Sequence, residues 1–586
     1  MIKKIFLLTL AAVLFASFVS AGHMKLLAVS ENNGTLIGSI ADLNLEINDG
    51  KGRVFIQSLP LTKLDTQIST RLAQSTACKM TSVKCSEKDF LYSITSKSPI
   101  IGGPSAGAAI SALTFAELEG LEVDESVSIT GTINSGGLIG PVAGIKEKIE
   151  AAANHKIKKV LIPQPTHIQK DNNKTIELIE HGQSLGVEVK EVATFDEVIY
   201  ELTGVSFAEP ERNISISKEY TETMKQLAKE QCNRSKMLYD TVLRYKMPVV
   251  RENNSLMQLE ENANNKSSKG LATMQKGEYY SAASYCYTSN LLYRQLLLNI
   301  MNMTNEDILA NASSIMERVN EFDSFVEERK YTTLSELETY MIVKERIKDS
   351  KHFLEQAIKN ARDDKTDVAL VQLANGMERL FSSKAWDNFY TMGGQNITVD
   401  EEAVKQSCKT KITEARERYA YLKLFLPGYL SDTERELKLA EQDLNRGDYE
   451  LCLFKASKAK ADANAVILAM GLRESTISDT LGQKLEIVEQ IIAEQSNKGK
   501  FPIIAYSYYE YANSLKGSDD FAGMLYAEYA LELSNLDSYM GKDNPVERNM
   551  PTKIRVKDIS WQGVFVFLWG LVIGVVLVLL ILKRKK

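Results

Sequence analysis

The chain has 586 residues, of which 44% are hydrophobic and 25% charged, a composition that excludes a disordered polypeptide and provides for several buried cores. At roughly 100 to 200 residues per domain, it should hold two to four units. The net charge is −6, and −12 once Lys3, Lys4 and the basic residues 583–586 are set aside, which argues against phosphate backbones, and hence nucleic acid, as partners.

In chain order, Lys3 and Lys4 precede the uncharged run IFLLTLAAVLFASFV, with Val19 and Ala21 at the −3 and −1 positions of a signal-peptidase site. Residues 1–21 therefore read as a signal peptide. Residues 22–206 alternate short Val- and Ile-rich runs with helical patterns, the texture of an α/β or α+β domain. GRVFIQSL reads as a strand, LTKLDTQISTRLAQSTA as an amphipathic helix, DFLYSITS as a strand, and residues 105–118 as a helix starting at the serine. SVSITGTI and LIGPVA are strands around the turn NSGG, followed by a helix over 145–154, the strand KKVLIP, another helix and the strand VEVKEV. TFDEVIYELTG closes the domain with a helix that carries capping-box spacing from Thr194 to Glu197.

Two places in this domain carry chemistry. In IGGPSAGAAI (101–110), Ser105 sits among small residues at a predicted helix start, where unpaired backbone N–H groups can hold an oxyanion. Gly102 and Gly103 clear space for a substrate backbone beside it. In GPVAGIKEK (140–148), Lys146 follows a Gly-containing strand-to-helix turn, and a lysine kept neutral by an apolar pocket can take a serine proton. Taken alone, a serine in this position is more often a helix cap than a nucleophile, and a lysine in the first turn of a helix is usually a solvated surface residue.

GGPSAGAAISALTFAELEG, SITGTINSGGLIGPVAGIKEKIEAA and KKVLIP, in this order, resemble the proteolytic domain of Lon proteases, particularly those of archaea. The resemblance covers roughly residues 25–205 and implies an α+β Lon-type proteolytic domain with a Ser-Lys dyad. It makes Ser105, in the PSAG motif, the nucleophile. It makes Lys146, the first lysine of the KEK motif, the base, with Lys148 as the second, non-catalytic lysine and Thr130 as the residue that orients the base. The family's frequent acidic residue before the serine is Gly102 here, and the first Gly before the lysine motif is Ala143. No G-x-x-x-x-G-K-[ST] nucleotide loop occurs in the chain, so the expectation is a peptidase that uses neither ATP nor any cofactor or metal. The five histidines, at 23, 155, 167, 181 and 352, show no recognisable triad context.

Residues 207–545 read as an all-α region of helical hairpins, similar to tetratricopeptide arrays. KGEYYSAASYCYTSNLLY, RGDYELCLFKASKAKADA and GSDDFAGMLYAEYALELS share a Gly turn, an acidic residue, an aromatic and then small residues at helical spacing. AYSYYEYANSL (505–515) is either an aromatic helix core or a recognition surface. Cysteines at 78, 85, 232, 286, 408 and 452 permit the pairs Cys78–Cys85, Cys232–Cys286 and Cys408–Cys452, or free buried thiols, and nine N-x-S/T sequons permit glycosylation.

Residues 546–560 are a polar linker, and 561–582 form an uncharged run of 22 residues. At about 1.5 Å per residue such a run is long enough to cross a bilayer. The basic tail 583–586 places the C-terminus in the cytoplasm and residues 22–560 outside it. The expected protein is a membrane-anchored serine endopeptidase acting on extracytoplasmic proteins or peptides, with a homo-oligomeric ring implied by the resemblance. The alternative is a non-catalytic anchored scaffold with a helical partner-binding array.

Overall fold

The computed structural model describes residues 22–536, apart from 33–34, 82, 97–104, 134–136, 138, 141, 143, 165, 167, 172–173, 207–212, 246–252, 395, 398, 427–429, 472–476 and 535. The expected signal peptide 1–21, the expected linker 546–560, the apolar segment 561–582, and Gly102 and Gly103 lie outside the described residues. Among the described residues no helix is long and apolar enough to cross a membrane.

Residues 22–49, which the sequence reading leaves unassigned, form the long antiparallel hairpin β1 (Gly22–Asn32) and β2 (Thr35–Asp49). With β3 (Val54–Leu59) and β4 (Lys88–Ser96) it makes a mixed sheet of order β1-β2-β4-β3. Period-two alternation turns Leu43 and Leu45 of β2, and Phe90, Tyr92 and Ile94 of β4, into one core. On that face lies α2 (Gly107–Glu119), in which every residue from Gly107 to Ala116 is buried; α1 (Leu64–Met80) packs beside it. Such a helix, apolar on all sides and built of Ala, Gly and Ser, can approach the sheet and its neighbours closely. Tyr92 and Thr114 pair their hydroxyls at 2.7 Å inside this core.

A second, parallel sheet runs β11 (Glu188–Val192), β8 (Lys159–Pro163), β5 (Val127–Ile129). A short hairpin, β6 (Thr132–Ile133) with β7 (Ile139–Gly140), and another, β9 (Ile168–Asp171) with β10 (Lys174–Glu177), complete the strands. The helices are α3 (Ile145–Asn154), α4 (Leu178–Ser184) and α5 (Phe195–Thr203), the last with the expected Thr194–Glu197 capping box.

Two departures from the sequence reading matter for the site. SVSITGTI is broken at Thr130–Gly131 rather than continuous. There the Thr130 N–H donates to Leu161 of β8 (3.1 Å) and the Gly131 N–H to the Ser105 carbonyl (3.0 Å), while the Gly131 carbonyl accepts from Ala108 (3.0 Å). The helix after the serine begins at Gly107, because the Ser105 carbonyl is committed to that strand break and the first intrahelical acceptor is Ala106, bonded to the Ile110 N–H at 2.9 Å.

Twelve helices follow among the described residues: α6 (Lys218–Tyr245), α7 (Asn254–Gln275), α8 (Tyr279–Ile300), α9 (Asn305–Glu327), α10 (Leu334–Arg362), α11 (Thr366–Trp386), α12 (Glu401–Phe425), α13 (Ser431–Arg446), α14 (Tyr449–Gly471), α15 (Ile477–Asn497), α16 (Ile503–Leu515) and α17 (Asp520–Leu533). They pack largely as antiparallel neighbours, α7 on α8, α10 on α11, α13 on α14 and α16 on α17. The three repeated Gly turns supply the left-handed residue each reversal needs: Gly277, Gly447 and Gly517 have φ of 85°, 87° and 76° and lead into α8, α14 and α17. The Tyr-rich 505–515 segment is α16, with Tyr508 only 6% exposed and Tyr506, Tyr509 and Tyr511 packed against the core. The two regions touch where α12 lies on α1, and where a side chain at Gly140 would meet Leu468 of α14 at 3.7 Å.

Disulfides join Cys78 to Cys85, Cys232 to Cys286 and Cys408 to Cys452. The second staples α6 to α8 across 54 residues. Loop-closure entropy predicts that replacing both Cys232 and Cys286 by Ala lowers the stability of the oxidised protein by about 4 kcal/mol, read as a lower denaturation midpoint for the helical region.

Candidate active site

Gly144 starts α3 in the left-handed region (φ 69°), and a Cβ there would lie 2.8 Å from Val29, so a bulkier residue would displace the start of the helix. From that turn the helix presents Ile145, Lys148, Ile149 and Ala152 to the interior, the i, i+3, i+4, i+7 stripe of a core-facing helix. Lys148 thus occupies a core position. It is 1% exposed, and its Nζ donates to Thr130 Oγ1 at 2.9 Å.

The sequence reading sets Thr130 beside Lys146, whereas the structure sets it beside Lys148. Lys146 and Lys148 stand two residues apart on a helix, about 200° around its axis, and cannot both face Thr130. The half-buried Lys146 is on the other side; Thr130 holds Lys148. Desolvation pulls the Lys148 ammonium down to about 7, with the neighbouring Glu147 carboxylate opposing the fall. An amine neutral near physiological pH is able to accept a proton, as an ordinary exposed lysine is not.

Ser105 is half-buried just before α2. Its carbonyl accepts from Gly131, the residue after Thr130, so the segment carrying the serine and the side chain of the buried lysine are attached to the same dipeptide. The close approach relies on small residues. A Cβ at Gly107 would come within 3.1 Å of Ser69 Oγ of α1, and one at Gly131 within 2.6 Å of the Ile139 side chain. The arrangement offers a hydroxyl, an amine of lowered basicity and a helix start, the components of acyl transfer. Among the described residues no group of three or more His, Cys, Asp and Glu is placed to hold a metal ion. The signal that finds Lys148 is present in the sequence: it falls on the apolar stripe of its helix, where a charged residue is out of place.

Residues 88–203 match the family model described as the Lon protease (S16) C-terminal proteolytic domain, so this unit is a Lon-type proteolytic domain. The chain is 40% identical to a Lon protease of Lachnoclostridium phytofermentans over 97 residues, 17% of this chain and 11% of that one. It is 37% identical to Lon protease 2 of Bacillus subtilis over 102 residues, 17% of each. It is 28% identical to the archaeal Lon protease of Archaeoglobus fulgidus over 174 residues, 30% of this chain and 27% of that one. The chain thus spans less than a third of the length of these curated relatives.

Burying Lys148 has a thermodynamic signature. Its pKa is lower folded than unfolded, so between about pH 7 and 10 the unfolded chain binds the extra proton and the lysine's contribution to stability rises with pH. Lys148→Met is expected to be more stable than the parent at pH 6.5, by on the order of a few kcal/mol, with the gap narrowing at pH 9.5; thermal melts at the two pH values measure it.

Proposed function

We propose that the chain is an ATP-independent serine endopeptidase in which Ser105 is the nucleophile, Lys148 the general base and Thr130 the residue that orients it. The observation that carries this reading is the buried Lys148–Thr130 contact, which keeps one lysine of the domain in a neutral-prone state. The neutral amine takes the Ser105 proton as Oγ attacks a peptide carbonyl. The resulting ammonium returns that proton to the leaving amine, and water then releases the acyl group by the same exchange. N–H groups at the start of α2 receive the oxyanion, that of Ala108 excepted, since it donates to Gly131.

The proposal extends to the setting. The apolar run 561–582, followed by four basic residues, anchors the enzyme with its proteolytic and helical regions outside the cytoplasm, and the signal segment 1–21 directs it there. Its substrates are extracytoplasmic proteins or peptides. With the helical region set against α1 and Leu468 beside the β6–β7 hairpin, they enter as unfolded or extended segments. A ring of identical subunits follows from the resemblance to Lon proteases.

Purified full-length chain in detergent micelles, given an unfolded casein-like protein without nucleotide, tests the reading. Ser105→Ala and Lys148→Ala are expected to lower kcat/KM by at least about 10²-fold, whereas Lys146→Ala stays within a few-fold of the parent. The parent's kcat/KM should rise through about pH 7 and level off above it as Lys148 deprotonates. A folded parent that cleaves nothing would favour the scaffold; loss in Lys146→Ala with retention in Lys148→Ala would reverse the assignment of the base.

A further inference from the structure

The last turn of α2 is electrostatically out of place. It carries Glu117 and Glu119 and no basic residue, although the carbonyl end of a helix repels a carboxylate. Glu119 is accounted for, since its carboxylate accepts from the Thr81 hydroxyl. Glu117 has no such partner: among the described residues no lysine, arginine or histidine pairs with it and no hydrogen bond reaches it. It is half-buried, and that desolvation pushes its carboxyl up.

The unpartnered carboxylate lies against the start of β1. A Cβ at Gly22 would come within 2.5 Å of Glu117 Oε1 and 2.6 Å of its Cδ and Cγ, so the glutamate covers the Cα of that glycine. Gly22 is buried and opens the β1–β2 hairpin. Its backbone nitrogen, one bond from the same Cα, is therefore within about 5 Å of the carboxylate.

Position 22 is also where the chain is expected to be cut. Val19 and Ala21 stand at −3 and −1 of the signal-peptidase site, so Gly22 is the residue after the scissile bond. Hydrolysis of the Ala21–Gly22 amide by a signal peptidase consumes one water and leaves a carboxylate on Ala21 and an α-ammonium on Gly22. An amide nitrogen offers Glu117 a single neutral N–H, whereas the α-ammonium offers three donors and a positive charge. The adjacent His23 does not compete, because its ring nitrogens face Asp42 at 3.3 Å and Glu125 at 3.2 Å.

What Glu117 holds bears on the serine. α2 begins at Gly107, two residues after Ser105, and every residue from Gly107 to Ala116 is buried, so close packing makes the helix move as a rod. Tying its Glu117 end to β1 ties the other end too, where Ser105 and the N–H groups assigned to the oxyanion stand.

We propose that the α-ammonium created at Gly22 by removal of residues 1–21 pairs with Glu117, and that this contact sets α2, and with it Ser105, for cleavage. Glu117 is thus a positioning residue, and removal of the signal segment completes the proteolytic domain as well as delivering it. The inference rests on the proposed signal processing, and on the endopeptidase reading only for its effect on cleavage.

Two chains in detergent micelles test it. One spans residues 22–586 with a free amine at Gly22, released from an N-terminal fusion. The other spans 20–586, in which Ser20 and Ala21 carry the ammonium about 7 Å away. Each is also made with Glu117→Gln. Hydrogen exchange of peptides from α2, read by mass spectrometry, is expected to be about tenfold slower in the 22–586 chain, and Glu117→Gln should abolish the difference. On the casein-like protein, kcat/KM should fall about tenfold in the 20–586 chain, with no further loss when Glu117→Gln is added. Equal exchange in the two chains, or a difference that survives Glu117→Gln, would overturn the pairing. An undiminished kcat/KM in the longer chain would overturn its role in cleavage. N-terminal sequencing of the whole chain recovered from a secreting host should begin at Gly22, and another start would also defeat the inference. A 22–586 chain that shows the exchange pattern but cuts nothing would sink the endopeptidase reading alone.

Discussion

A lysine with 1% of its surface exposed, held by one threonine hydroxyl, is the constraint around which the proteolytic domain is arranged. Removing an ammonium from water is expensive, and the domain weakens the amine's hold on its proton instead of pairing it with a carboxylate. Everything nearby serves the burial. Gly144 sets the angle at which α3 leaves its turn, Ile145 and Ile149 flank the lysine on the same helix face, and the break at Thr130–Gly131 frees a hydroxyl to face it. The same break binds the Ser105 carbonyl, so the serine segment cannot shift independently of the lysine's partner.

The helical region treats buried charge in the opposite way, by pairing it. Glu378, wholly buried, takes Arg234 at 2.7 Å and Arg294 at 2.9 Å from two other helices, and Lys411 and Lys460 share Glu532 at 3.0 and 2.9 Å. Such pairs add little net stability over apolar packing, but a helix that slipped along its neighbour would leave an uncompensated charge. They therefore keep the register of a stack whose apolar contacts, dominated by Ala, Leu and Tyr, would tolerate sliding.

Much of the architecture is legible in the sequence for local reasons. The helix 145–154 and the strand KKVLIP follow from short-range periodicity and turn chemistry, and the Thr194 capping box needs only four consecutive residues to form. The three Gly turns of the helical region are recognisable because a reversal that needs positive φ selects glycine. The serine stands out by the run of small residues around it. The partner of Thr130 is missed when motif position is given more weight than helix geometry, although the stripe Ile145–Lys148–Ile149–Ala152 places Lys148, not Lys146, on the buried face. The β1–β2 hairpin escapes a sequence reading because its strands carry charged and polar residues on their outer faces, which dilutes the apolar signal.

The amino-acid sequence by itself determined most of the helices and several strands, their order, and the serine motif within the proteolytic unit, since these depend on neighbours a few residues apart. Tertiary structure decided which lysine meets Thr130, because that contact depends on the direction in which α3 faces a strand break 18 residues away. It also decided that Ser105 lies before its helix, because a carbonyl committed to Gly131 is unavailable to the helical ladder. The pairing of Glu345 with Lys458 also belongs wholly to the tertiary structure, because no local pattern records that two charges more than a hundred residues apart meet.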